Sequence, residues 1–258
     1  MLPYLLWALL YTKFSVPNLM KISYGSYWSI ASSGASSNLW FLPVMFMSLC
    51  LFYLFVKTGL VNRFYKKVLL MVICFVIGFF FPYIRIGWPW GIDVAFMACV
   101  FLLLGNIIQS YIGRLYYYPP SKKGQCISLL FFLLMFVGTL SLNMNNSSGV
   151  IVMMKNAQYG DCLFFILTAV FGTLMLLFLS MFIEYLNPNG YGWLSFIGQN
   201  TLCIFVIHKP IIGCFRVLFN FVQISESVIL IITTAGTLLL SCLLCIMINK
   251  YAPVLAGR

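Results

Sequence analysis

Acidic side chains are nearly missing from this chain. Only Asp93, Asp161, Glu184 and Glu226 occur in 258 residues, and no two are neighbours in sequence. Histidine occurs once, at His208. A mechanism built on a sequence-local carboxylate pair, or on a His-rich metal cluster, has no residues to draw on. The nine cysteines are an odd number, lie mostly inside apolar runs, and show neither CxxC spacing nor a Cys/His cluster. They read as small buried hydrophobes, and no metal site is expected. Charged residues of both signs make up 7% of the chain, and 63% is hydrophobic, with a mean hydropathy of +1.03. That balance excludes a water-soluble domain and makes lipid the solvent. Internal repeats, low-complexity linkers and period-two alternation are also missing, so a transmembrane barrel is excluded and helices are expected.

What is present is a series of long apolar runs. Seven reach or approach the length of a bilayer crossing, about 20 residues: Leu39–Val56, Val68–Tyr83, Ile92–Ile112, Cys126–Leu142, Leu163–Phe182, Thr201–Phe221 and Val228–Ile248. The expected fold is all-α, a polytopic bundle of about seven full spans in one membrane domain covering residues 1–258. A short apolar segment, Met1–Tyr11, precedes the spans. At about 16 Å of helix it is too short to cross a hydrocarbon core of about 30 Å. It lacks a basic leader and a cleavage site, so it reads either as an interfacial helix or as the second half of a span.

The net charge of +11 is spread between the apolar runs rather than gathered into one stripe, which argues against a nucleic-acid partner. Lys57, Arg63, Lys66 and Lys67 follow the first full span; Arg114, Lys122 and Lys123 follow two spans later; Lys250 and Arg258 follow the last. The positive-inside rule assigns these loops to the cytoplasm, with the C-terminus inside and Asn200 at the inner end of its helix. The expected location is a cell membrane, crossed many times.

His208 lies inside an apolar run, Ile204-Phe205-Val206-Ile207-His208-Lys209-Pro210-Ile211-Ile212. An ionisable group at membrane depth costs roughly 2.5–3.5 kcal/mol on insertion scales, so it normally faces a partner or a site. It is the one side chain here whose unperturbed titration falls near neutral pH, which makes it the candidate acid–base group. The bland alternative is a histidine that hydrogen-bonds a neighbouring helix while Lys209 reaches to the interface. Pro210 removes a backbone bond to Val206 and favours a kink.

The stretch Trp193-Leu194-Ser195-Phe196-Ile197-Gly198-Gln199-Asn200-Thr201-Leu202, followed by Ile207-His208-Lys209-Pro210, resembles a late-span signature of the membrane-bound acyltransferase-3 family. Leu2-Pro3-Tyr4-Leu5-Leu6-Trp7, Asn38-Leu39-Trp40-Phe41-Leu42-Pro43, Phe101-Leu102-Leu103-Leu104-Gly105 and the Asn-rich segment 143–160, with Tyr159-Gly160, resemble other pieces of that family in the same order. The resemblance implies an inner-membrane enzyme. It would move an acyl group, usually acetyl from cytoplasmic acetyl-CoA, to a hydroxyl of an extracytoplasmic glycan or lipid-linked sugar. No bound cofactor is implied; acyl-CoA is the donor substrate. The matching pieces begin near the family's third span. The chain is therefore expected to lack the first two spans and the principal histidine they carry, and His208 matches the family's second histidine.

On that reading His208 is a catalytic base. Asn200 either orients the reacting groups or caps the helix that starts at Thr201. Arg114, Lys122 and Lys123 are candidates for the CoA phosphates or, alternatively, plain topology signals. Arg85, Trp88, Trp90 and Asp93 are candidates for holding a sugar, against the alternative of an interfacial aromatic belt. Two other functions compete: an exporter of polysaccharide or lipid-linked sugar, and an inactive truncated relative. Oligomeric state is not legible.

Overall fold

The computed structural model describes residues 16–26, 29–30, 37–80, 88–116, 122–145, 152–186, 192–219 and 225–252. Met1–Tyr11 and Arg85 lie outside them. Among the described residues the fold is all-α. They form helices α1 (Val16–Tyr24), α2 (Phe41–Lys57), α3 (Phe64–Phe80), α4 (Ile92–Tyr116), α5 (Lys122–Asn145), α6 (Cys162–Leu186), α7 (Gly192–Gln199), α8 (Thr201–Phe219) and α9 (Glu226–Tyr251). An isolated bridge, Met153 with Gln158, is the one strand-like pairing among them. Within the described residues, every apolar run expected to span the membrane is helical. Five helices are long and apolar enough to cross a membrane: α4 (counted from Pro89), α5, α6, α8 and α9. α2 and α3 are apolar helices of 17 residues each. Helices are the form in which a continuous apolar run pairs all its backbone groups internally, which hydrocarbon demands.

The chain divides into two compact units, residues 44–191 and residues 1–43 with 192–258. In the first, α3 and α4 form an antiparallel pair. Lys67 Nζ donates to Asn106 Oδ1 at 2.7 Å near one end, and Gly78 meets Met97 near the other. A Cβ on Gly78 would stand 2.8 Å from the Met97 backbone nitrogen, so only glycine allows this approach. Leu70, Cys74, Met97, Val100 and Leu103 form the buried seam. α5 and α6 form a second antiparallel pair, with Phe131 stacked on Phe178 at 5.0 Å and Gly138 against Phe171. α6 runs alongside α4 in the same direction, joined by Phe101 and Phe165 at 5.8 Å. These directions bring Lys57, Arg63, Lys66, Lys67, Lys122 and Lys123 to one end of the unit. The turn Trp88–Gly91, Asp93 and the loop Val152–Asp161 lie at the other.

In the second unit α8 and α9 are antiparallel. Asn200, just before α8, is bridged to Asn249, near the end of α9. Glu226 in the first turn of α9 and Lys250 in its last both complement the helix dipole.

Candidate functional site

The α7–α8 junction is a single non-helical residue, Asn200, which is buried. Its side chain does not cap α8. Nδ2 donates back to the Phe196 carbonyl at 2.8 Å, and Oδ1 accepts from Asn249 Nδ2 at 2.7 Å. The capping alternative is therefore overturned. The residue ties α7 to α8 through the first bond and α8 to α9 through the second. In lipid such a cross-helix bond is worth about 0.6–1.7 kcal/mol. One turn further along, Cys203 and Cys245 are both buried.

His208 lies two turns into α8 and is half-buried. Its Nδ1 is 3.3 Å from the Ile204 carbonyl oxygen. A carbonyl only accepts, so a hydrogen bond here requires the proton on Nδ1. The Phe205 ring packs on the imidazole at 5.7 Å and on Phe41 at 5.3 Å. Lys209, the next residue, is exposed. Helix α8 continues through Pro210 to Phe219. Ser241 stands the same number of residues from Asn249 as His208 does from Asn200, so the two share a depth in the antiparallel pair. The Ser241 and Thr237 hydroxyls are buried without a hydrogen-bond partner. Elsewhere Ser48, Thr139, Thr173, Ser180 and Thr234 each donate to a carbonyl one turn back.

At the end of the first unit that bears Asp93, the chain turns through Trp88-Pro89-Trp90-Gly91. Trp90 has φ 56° and Gly91 φ 59°, two left-handed residues in succession. A tryptophan in that region is strained, and such strain persists only where the surroundings over-determine it. Here the Trp90 ring is held against Phe46 at 5.8 Å, and Val44 fills the space a Gly91 Cβ would need. The turn launches α4 with Asp93 in its first turn, 7% exposed, its carboxylate accepting from the backbone N–H groups of Val94 and of its own residue.

Tyr159 lies beside it. The loop Val152–Asp161 is tight: Met153 and Gln158 pair, and Ala157 takes a left-handed φ of 53°. Tyr159 is 3% exposed, its ring set between Phe79 at 6.4 Å and Phe165 at 5.0 Å. Its hydroxyl is buried without a hydrogen-bond partner. Burial first, and the Asp93 charge second, push the phenol far above its ordinary titration range, so it stays a neutral O–H donor. The same loop leaves Asn156 Oδ1 buried and unpaired.

Of the residues singled out in the sequence, the structure thus brings Trp90 and Asp93 together at one end of a unit. Trp88 opens the same turn, and Arg85 lies outside the described residues. Lys122 and Lys123 are exposed in the first turn of α5. Arg114 lies in the last turns of α4, with its side chain outside the described residues. Two residues were missed. Asn249 had a signal in the four-residue spacing Thr237, Ser241, Cys245, Asn249 along an apolar helix. Tyr159 had none beyond its place in the Asn-rich segment.

A family model described as an acyltransferase domain matches residues 1–246 of the chain. No curated protein and no solved structure matches it.

Proposed function

Since the chain belongs to the acyltransferase-3 family and is a membrane acyltransferase, we propose that it transfers an acyl group, acetyl in the simplest case, from cytoplasmic acyl-CoA to a hydroxyl of an extracytoplasmic glycan or lipid-linked sugar. The observation that carries this finer reading is the contact of His208 Nδ1 with the Ile204 carbonyl oxygen at 3.3 Å. With Nδ1 donating to the Ile204 carbonyl, Nε2 would be the basic nitrogen, set in an apolar run where an idle ionisable group is costly. In the reaction the sugar oxygen attacks the thioester carbonyl carbon as Nε2 takes the hydroxyl proton. The C–O bond forms, the C–S bond breaks, and the departing CoA thiolate receives that proton from the imidazolium.

Asn200 is a positioning residue in this account. Both ends of its amide are engaged by protein, so it sets where α8 starts relative to α9 and thereby where His208 sits. Lys122 and Lys123 would receive the CoA phosphates, with Arg114 nearby in sequence. Two lysines in the first turn of α5 oppose its dipole, at about 0.3–1 kcal/mol each, so their placement serves something other than the helix. An anion there would meet both lysines. Trp88, Trp90 and Asp93 would face the sugar. The test is release of free CoA thiol from acetyl-CoA by the full chain in liposomes holding a lipid-linked sugar. His208→Ala should reduce it by about 10²–10⁴-fold, the usual worth of a general base. A rate equal to wild type would remove His208 from the chemistry.

A further inference from the structure

A buried tyrosine hydroxyl without a partner is unfavourable unless something outside the protein completes it. Tyr159 is in that position, beside a buried carboxylate that acts on it electrostatically without a hydrogen bond between the two. The donor and the acceptor are held by independent elements. Asp93 is fixed by the first turn of α4, and Tyr159 is wedged between Phe79 of α3 and Phe165 of α6. The strained Trp90 adds an indole at the same end of the unit, half-buried and braced by Phe46.

We infer that Asp93 and Tyr159 form a hydroxyl-recognition site for the sugar acceptor, in which Asp93 accepts from one sugar hydroxyl and Tyr159 donates to an adjacent oxygen. A neutral O–H donor and a carboxylate acceptor at the same end of the unit match the donor–acceptor alternation of vicinal sugar hydroxyls. An aromatic face nearby suits the C–H face of a pyranose. A simple phosphate or carboxylate ligand fits badly, because Asp93 would repel it. The inference rests on the glycan-acceptor reading above and adds Tyr159, which that reading does not use.

The experiment uses the full chain in a polyoxyethylene detergent, free of sugar head groups and without CoA. Tryptophan fluorescence is titrated with glucose, galactose, rhamnose and N-acetylglucosamine, for wild type, Tyr159→Phe and Asp93→Asn. At least one sugar should give a saturable change, with its half-point raised about tenfold or more in each variant, as loss of one hydrogen bond to a bound hydroxyl requires. Tyr159→Phe should leave the unfolding temperature unchanged or raise it, since the hydroxyl it removes bonds nothing in the protein. The inference fails if no sugar of the panel saturates, if Tyr159→Phe binds as wild type does, or if Tyr159→Phe unfolds at lower temperature or does not fold. Sugar binding without acyl transfer would keep this site and remove the acyltransferase reading of it. His208-dependent transfer unaffected by Tyr159→Phe would do the reverse.

Discussion

Three glycines in membrane helices separate packing from propensity. Gly78→Ala places a methyl 2.8 Å from the Met97 backbone nitrogen and 3.2 Å from its Cα. Backbone cannot rotate away, so α3 and α4 must move apart by several tenths of an ångström along the seam of Leu70, Cys74 and Val100. Such overpacking costs about 1–3 kcal/mol, which exceeds the roughly 1 kcal/mol that alanine gains over glycine in a helix. Gly138→Ala meets only the edge of the Phe171 ring, 2.5 Å away, and a side chain can turn. Its net effect is expected within about 1 kcal/mol of zero. At Gly105→Ala a Cβ meets nothing within 4 Å, so propensity alone acts and the variant should gain up to about 1 kcal/mol. Reversible unfolding of the three variants in mixed micelles should give the order Gly105→Ala, Gly138→Ala, Gly78→Ala from most to least stable. Gly78→Ala has a second consequence. Phe79, its neighbour, stacks on Tyr159, and Met97 is one turn from Asp93, so separating the helices should also weaken sugar binding. A Gly78→Ala variant as stable as Gly105→Ala would refute the α3–α4 contact and the placement of Asp93 beside Tyr159 with it.

Asn200→Leu and Asn249→Leu should each lower stability by about 1–3 kcal/mol by orphaning a buried polar partner, while the double variant recovers a coupling energy of about 0.6–1.7 kcal/mol in a double-mutant cycle; a zero coupling would show the pair unformed. Ala157→Gly relieves a left-handed alanine, worth about 1–2 kcal/mol, against an unfolded-state loss of about 0.4–1, so thermal unfolding should show a gain of roughly 0.5–1 kcal/mol. A destabilised Ala157→Gly would mean that the Tyr159 loop does not adopt this turn.

The membrane helices were legible because hydrocarbon leaves a long apolar run no other form, and their limits agree with the sequence reading to within a few residues. Val68 was expected to open the third helix, which instead starts at Phe64, because Lys66 and Lys67 can extend a helix into the interface at no cost to its backbone pairing. His208 and Asp93 were legible as charges in unfavourable places. Their surroundings were not. Asn200 fits a capping pattern in sequence, and only the position of Asn249 on an antiparallel neighbour redirects its amide. Tyr159 is one of 15 tyrosines, and its unpaired hydroxyl follows from the packing of Phe79 and Phe165, which lie far apart in sequence. The loop charges also leave a tension. They assign the start of α2 and the start of α8 to opposite membrane faces, yet Phe41 and Phe205 pack at 5.3 Å. Helix starts separated by a core of about 30 Å cannot touch one turn in, so this contact is at odds with the charge assignment for two full-length spans. Charge patterns locate loops and do not report the depth at which a helix begins.

The most direct test of the central claim is the product itself. The full chain in liposomes, given acetyl-CoA on one side and a lipid-linked sugar acceptor on the other, should convert the sugar to a species carrying one acetyl ester, removable by mild alkali, as seen by mass spectrometry. His208→Gln, which keeps the size and loses the base, should yield folded protein and almost none of that ester. Ester formation by His208→Gln at the wild-type rate, or none by wild type with any glycan acceptor, would contradict the account.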